Sequence, residues 1–248
     1  MNEDPVSAAL DAAGATFDDV YRGGLLRRWA KGTKHFAHGA PLITVDEVNH
    51  DALTPFPKRD DVDIILDQCD SGEDLIIWKS RQHFCSHAVM SSSLWLALFT
   101  RERSIAYVAQ DEGEGKSHVE SRLVGMMERT PAWFQKMYRW NVKGGTFVVE
   151  EREGKPWRSF VEPMARGSKK TRSWSWSRIH FDEAALNELL EPSFTGAYST
   201  VRGARDPKTG LMKKGQIILT SSAMYHKFMI NLSGVMLEEG LEMARRVP

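Results

Sequence analysis

The alternation of apolar and polar positions divides this 248-residue chain into a punctuated leader and a regularly patterned remainder. Through about Thr54 the chain is interrupted by Gly23-Gly24, Gly32, Gly39 and Pro41, and its pattern supports one short helix around Val20–Trp29. Beyond Pro55 and Pro57, the positions Val62, Ile64, Ile65 and Leu66 predict part of a helix that ends before Ser71-Gly72. Leu75-Ile76-Ile77-Trp78, bounded by Asp74 and Lys79, is a short unbroken apolar run of the kind a strand buried on both faces of a parallel sheet shows. Ala88 to Phe99 is too long for a strand and has only Val89 as a β-branched residue, so a buried helix is expected there. Ser104 to Ala109 reads as a second strand, and Glu112 to Arg129 as a charged helix with Val119, Leu123, Met126 and Met127 at helical spacing. Phe147-Val148-Val149, Ser177 to Phe181 and Gln216 to Thr220 complete the strand set. Strand and helix alternating in this order predict right-handed βαβ units: an α/β fold with a mostly parallel central sheet flanked by helices. Met224, Met229, Met236 and Met243 fit core or interface filling.

Composition narrows the class without naming a chemistry. At 42% hydrophobic, 27% charged and 10% aromatic residues, the chain is an ordinary globular one, which excludes disorder, collagen and a disulfide-stapled miniprotein. Its length suits one large domain or two small ones. Cys69 and Cys85 are the only cysteines, so no zinc site can be drawn from them, and a reducing compartment is expected. The longest apolar runs are about a dozen residues, and Met1-Asn2-Glu3-Asp4 lacks a basic region followed by an apolar one. A soluble, intracellular protein with no membrane partner is therefore expected. The 33 basic and 33 acidic residues cancel, but unevenly: residues 1–77 carry 15 acidic and 7 basic residues, leaving the remainder with a net charge of +8. That asymmetry suggests a polyanion-handling part joined to an acidic leader, or else two solvated surfaces of opposite sign.

In an open α/β sheet, ligands bind beyond the carboxyl ends of the strands. Three such ends carry candidate chemistry: Lys79-Ser80-Arg81-Gln82-His83-Phe84-Cys85-Ser86, then Asp182-Glu183, then Ser221-Ser222. A strand passing through a short basic loop with a terminal Ser into a helix has the layout of a phosphate-binding loop. Backbone N–H groups and the helix N-terminus face the anion, Lys neutralises it and the hydroxyl ligates Mg²⁺. An acidic pair ending a second apolar strand complements it, one carboxylate holding Mg²⁺ through water and the other polarising an attacking water. Both glycines of the usual loop are absent: Phe84 stands where the last Gly belongs and Cys85 where the Lys belongs. Alone, an Asp-Glu pair also reads as a surface turn or helix cap. Together, each after an apolar strand and 103 positions apart, the two motifs favour the phosphate reading.

The run Leu75-Ile76-Ile77-Trp78-Lys79-Ser80-Arg81-Gln82 with Ser86 resembles the deviant Walker A of tailed-phage terminase large subunits, the ATPases that pump DNA into capsids, in the lambda-like form with Lys at the front of the loop. Leu94 to Phe99, Val108 to Glu112 and Thr130-Pro131-Ala132-Trp133 resemble the family's successive core segments. Ile179-His180-Phe181-Asp182-Glu183-Ala184-Ala185 resembles its Walker B, and Ile217-Ile218-Leu219-Thr220-Ser221-Ser222-Ala223 its coupling motif. The likeness covers about residues 54–230. It implies a three-layer, additional-strand P-loop NTPase, with residues 1–54 as an irregular or helical arm and 55–248 as the ATPase core.

The same resemblance implies ATP and Mg²⁺ as ligands. Lys79 would bind the β- and γ-phosphates within a loop running from Ser80 to Cys85, Arg81 would reach the γ-phosphate, and Ser86 would ligate Mg²⁺. Asp182 would hold Mg²⁺ through water, and Glu183 would activate the hydrolytic water. Arg172, eleven residues before Glu183, would act as a finger on a neighbouring subunit's nucleotide, or is one of several solvated basic residues. Thr220, Ser221 and Ser222 would sense hydrolysis and relay it. The adenine contact is Arg59 or Gln68. Implied partners are double-stranded DNA, a portal protein, a terminase small subunit and further copies in a ring on the portal, in the host-cell cytoplasm. After Glu183 only Asp206 remains of the aspartates, so the family's metal-holding nuclease domain is expected to be absent and no nuclease activity is expected.

DNA contact is written less clearly. Arg166, Lys169, Lys170, Arg172 and Arg178, interleaved with Trp174 and Trp176, suit a nucleic-acid groove, or one Trp of the pair is the inward face of a strand. Rival readings are another P-loop DNA-dependent ATPase and a non-catalytic fragment whose loop no longer binds nucleotide.

Overall fold

The computed structural model describes residues 16–39, 42–45, 53–79, 84–172, 174–202, 215–222, 226–238 and 244–246. Its helices are α1 (Phe17–Trp29), α2 (Thr33–Gly39), α3 (Asp60–Ser71), α4 (Cys85–Phe99), α5 (Glu112–His118), α6 (Gly125–Glu128), α7 (Ala132–Gln135), α8 (Leu190–Arg202) and α9 (Lys227–Glu238). A π-helical segment, Val119–Val124, joins α5 to α6. A small antiparallel pair, β1 (Ile43–Val45) and β2 (Leu53–Pro55), stands apart from the main sheet. The main sheet holds β3 (Leu75–Lys79), β4 (Ser104–Ala109), β5 (Tyr138–Lys143), β6 (Thr146–Arg152), β7 (Lys155–Ala165), β8 (Arg178–Phe181), β9 (Gln216–Ser222) and β10 (Ala244–Arg246). Their order across it is β10-β3-β9-β8-β4-β7-β6-β5.

From β10 to β7 all neighbours are parallel, and β7-β6-β5 form an antiparallel wing. The phosphate-loop strand β3 and the acidic strand β8 are therefore separated by one strand, β9, the arrangement expected of an additional-strand fold. Register then fixes which ends meet: Lys79 lies opposite Ser222, and Phe181 opposite Leu219.

Successive residues of a strand face opposite sides of its sheet, and here both sides are covered. Leu75 and Ile77 join one apolar cluster with Ile105, Tyr107, Val161 and the residues of α1 to α4, whereas Ile76 joins Ala106, Val108, Ile179, Leu219 and the residues of α8 and α9 on the other. Three layers result. The α4 helix is buried around its circumference from Cys85 to Leu94, its polar residues Ser86, His87, Ser91, Ser92 and Ser93 included. The α3 helix ends on Gly72, whose φ of 75° is readily adopted only without a Cβ.

The leader is more regular than its glycines suggested. A Thr16–Asp19 capping box starts α1 three residues ahead of the helix expected from the pattern. The α2 helix follows, and its Phe36 is fully buried beside Trp29. Two wing strands carry no apolar run: β7 contains Pro156 and Pro163 and alternates in burial, and β5 alternates Tyr138, Trp140 and Val142 with polar residues. No helix among the described residues is long and apolar enough to cross a membrane.

Candidate active site

The carboxyl ends of β3, β8 and β9 bring three of the sequence motifs into contact. Lys79 closes β3, and its Nζ lies 2.8 Å from Glu183 Oε1, with side-chain exposures of 11% and 34%. The Ser222 hydroxyl and backbone N–H both donate to Glu183 Oε2, at 2.9 and 3.2 Å. Burial disfavours the charged Glu183 carboxylate, but the Lys79 bond and the Ser222 donors outweigh it and hold its pKa below the ordinary value. Glu183 also takes a left-handed backbone conformation, φ 46° and ψ 49°, which costs a residue with a Cβ on the order of 1 kcal/mol or more and clusters at functional positions. Arg166 supports this turn by donating to the carbonyls of Glu183 and Leu186.

Asp182 is held more tightly still. Its Oδ1 accepts from Ser86 Oγ at 2.9 Å, Thr220 Oγ1 at 2.8 Å and the Glu183 N–H at 3.1 Å, while Oδ2 accepts from Tyr107 OH at 2.6 Å. Burial raises its pKa, but His180, the Tyr107 hydroxyl, Arg122 and Lys79 together lower it further, so the group stays ionised. His180 in turn meets Thr220 Oγ1 through Nε2 at 2.9 Å, and its complete burial lowers its own pKa to about 4. Ser221 accepts from the Ala185 N–H at 3.0 Å, tying β9 to the turn after Glu183.

Ser80, Arg81, Gln82 and His83 lie outside the described residues. The loop's end is described. Phe84 has φ 21° and ψ 11°, so the position where the usual motif places Gly keeps a positive φ although it carries a side chain. Its ring is buried, stacked on His87 at 4.5 Å and edge-on to Phe56 at 5.2 Å, and this packing offsets the backbone cost. Burial pushes the Cys85 thiol up to about 12, so it is a protonated, unreactive filler at the start of α4. Both cysteines are free.

The other candidates separate. Exposed Arg172 donates to the Pro192 carbonyl at 3.1 Å and has no bond to the Asp182–Glu183 group. Arg178 is a core residue, fully buried and bonded to Ser92 Oγ and the Cys69 carbonyl, which removes it from any DNA groove. Trp176 is buried and Trp174 is 55% exposed, so the pair splits between core and surface. Of the two adenine candidates, Gln68 meets Gln216 at the opposite end of β9. Arg59 precedes α3 close to Phe56, which packs on Phe84, and is held by Asp61. Patterning missed three groups bearing on Asp182: Tyr107, His118 and Arg122. The available signal was a phenol inside an otherwise apolar strand.

The resemblance implies a magnesium ion, and the donors fit one. Ser86 Oγ and Asp182 Oδ1 are adjacent hard oxygens. Among the described residues no group of three or more His, Cys, Asp or Glu could hold a metal without help, as suits an ion whose shell is completed by water and substrate phosphates.

These features, a mostly parallel sheet covered on both faces and a Lys–Ser–Asp–Glu group at its carboxyl edge, define a three-layer α/β fold. No protein-family model and no curated protein matches the sequence. Solved structures do match in fold. The large terminase of bacteriophage HK97 aligns at a TM-score of 0.59 and 15% identity over 88% of this chain and 43% of its own. A Thermus phage large terminase ATPase domain aligns at 0.53 and 13% identity, covering 71% of this chain and 69% of that one. The large terminase of a thermophilic bacteriophage, solved with ADP, aligns at 0.56 and 13% identity over 77% and 45%. The chain thus resembles the ATPase part of phage large terminases in fold, and it spans less than half the length of two of these three proteins.

Proposed function

We propose that the chain is the ATP-hydrolysing motor domain of a viral terminase large subunit, coupling hydrolysis to movement of double-stranded DNA into a procapsid. The observation that carries this reading is the Lys79–Glu183 ion pair lying beside the Ser86–Asp182 bond at the carboxyl ends of β3 and β8, which flank β9. It joins a phosphate cation, a water-activating carboxylate and two hard oxygen ligands in one place. A protein of similar fold supports it: the thermophilic phage large terminase has been solved in complex with ATP-gamma-S.

In this reading Lys79 leaves Glu183 for the β- and γ-phosphates, and Glu183, relieved of its counter-ion, takes up the attacking water as general base. Ser86 and Asp182 would hold Mg²⁺, which supplies charge neutralisation on the phosphates. Ser222 bonds the catalytic carboxylate and Thr220 the Asp182 carboxylate, so β9 is linked to both acids and is suited to relay their state. Arg81 completes the γ-phosphate contact, and Arg172 reaches a neighbouring copy's nucleotide. Double-stranded DNA, a portal protein, a small subunit and other copies in a ring are the partners, in the host cytoplasm. The net +8 of residues 78–248 suits the polyanion.

Phosphate release measured with Mg²⁺, with and without duplex DNA, tests the proposal. The parent chain is expected to hydrolyse ATP weakly alone and faster with DNA, and Glu183→Gln to bind ATP without releasing phosphate. Undiminished release by Glu183→Gln would sink the catalytic assignment.

A further inference from the structure

Ser86 and Thr220 account for one oxygen of Asp182, and the other faces residues that the nucleotide reading does not use. Tyr107 OH lies 2.6 Å from Asp182 Oδ2 and also 2.7 Å from His118 Nδ1. A phenol has one proton to give, and an ionised carboxylate only accepts. The Tyr107 proton therefore points to Asp182, and His118 must donate to the phenol oxygen, which fixes its ring as the Nδ1–H form. Burial and Arg122 lower the His118 pKa, in keeping with a neutral ring. Arg122 follows one turn later, on the π-helical segment, and its NH1 is 3.7 Å from Asp182 Oδ2, buried and without a hydrogen-bond acceptor among the described residues. Widened helical turns of this kind recur at functional sites, where they redirect a side chain. Tyr107 itself is fixed by its strand, which pairs on both sides, with β7 and β8.

We propose that Tyr107 is a positioning residue for Asp182, oriented by the Nδ1–H of His118 and backed by the Arg122 charge, so that Oδ1 stays turned toward the Ser86 side. The proposal rests on the reading of Asp182 as the carboxylate that serves Mg²⁺ and nucleotide. Tyr107 OH is the close donor to Oδ2; without it the carboxylate is held through Oδ1 alone, a looser hold on the orientation that a cation of near-octahedral geometry demands. Loss of such an outer partner usually lowers metal affinity about 10- to 100-fold.

Two measurements on the chain test this. In the metal-free parent, ¹⁵N spectra of the His118 ring should report the Nδ1–H form, and in Tyr107→Phe that preference should be lost. Equilibrium binding of a fluorescent ATP analogue, titrated with Mg²⁺, should then show half-saturation by Mg²⁺ raised about 10- to 100-fold in Tyr107→Phe. Nucleotide affinity without Mg²⁺ should be unchanged. His118→Leu should show a smaller rise in the same direction, and His118→Asn, whose amide can still donate, should restore most of it. An Nε2–H ring in the parent, or an unchanged Mg²⁺ dependence in Tyr107→Phe, overturns the proposal. A parent chain that binds no nucleotide overturns the reading of the site itself, which is a different result.

Discussion

The two halves of the main sheet treat charge in opposite ways. On the parallel half, Lys79 closes β3 and Asp182 and Glu183 follow β8; Lys79 and Asp182 are little exposed, Glu183 is 34% exposed, and each acid is bonded by side chains from two other strands. On the antiparallel wing, Arg139 and Lys143, with side chains more than 60% exposed, pair with the half-buried Glu150 and Glu151. Exposed pairs of this kind are worth at most about 1 kcal/mol and often nothing measurable. Buried ones carry a desolvation cost that survives only where donors saturate the acceptors. Carboxylates bonded by fixed donors from several elements set the parallel edge apart from the wing.

Substitutions should separate the halves by size of effect. Glu183→Gln and Lys79→Ala are expected to act most strongly. The first should cut phosphate release by 100-fold or more, by loss of the base, on the order of 10²–10⁴ for such groups. The second should abolish ATP binding in a direct titration.

Next in size is Phe84→Gly, which restores the usual loop residue. Removing the buried ring costs about 3–5 kcal/mol, and relief of the positive φ returns about 1 kcal/mol. Chemical denaturation should therefore show a less stable protein, although the backbone position suits Gly.

The pH dependence should be smaller again. The His180 pKa lies at about 4 in the fold, below its ordinary value, so the unfolded chain binds the extra proton first as pH falls. Stability from this group is whole above about pH 6.5 and is lost progressively toward pH 4. His180→Gln should flatten that part of a urea-midpoint profile. Asp182 and Glu183, both lowered, add stability that is lost only below the ordinary carboxylate range.

The smallest effect should be that of Arg139→Ala in the wing. Less than about 0.5 kcal/mol of stability should go, with ATP hydrolysis unchanged. A large loss of hydrolysis in Arg139→Ala would break the comparison.

What the sequence made legible follows the same division. Strands buried on both faces leave unbroken apolar runs, so β3, β4, β8 and β9 are readable, and with them the order of the motifs. The wing strand β7 is not: Pro163 lies within it and its apolar positions alternate, because one side meets solvent or polar neighbours. The meeting of Lys79, Asp182, Glu183 and Ser222 was legible because each closes or follows an apolar strand, and Ser86 because it opens the apolar helix after the loop. Tyr107, His118 and Arg122 were not, since their roles depend on meeting Asp182 across the fold. Arg178 misled for the converse reason: its charge suggested surface, and only its bonds to Ser92 and Cys69 explain its burial.

The most direct test of the central claim is a structure of the chain with ATP-gamma-S and Mg²⁺. The account predicts that Lys79 Nζ has left Glu183 and contacts the β- and γ-phosphates, with Ser86 and Asp182 on the metal side and Glu183 facing the γ-phosphate. A nucleotide bound elsewhere, or one bound here with the Lys79–Glu183 pair still closed, would contradict it.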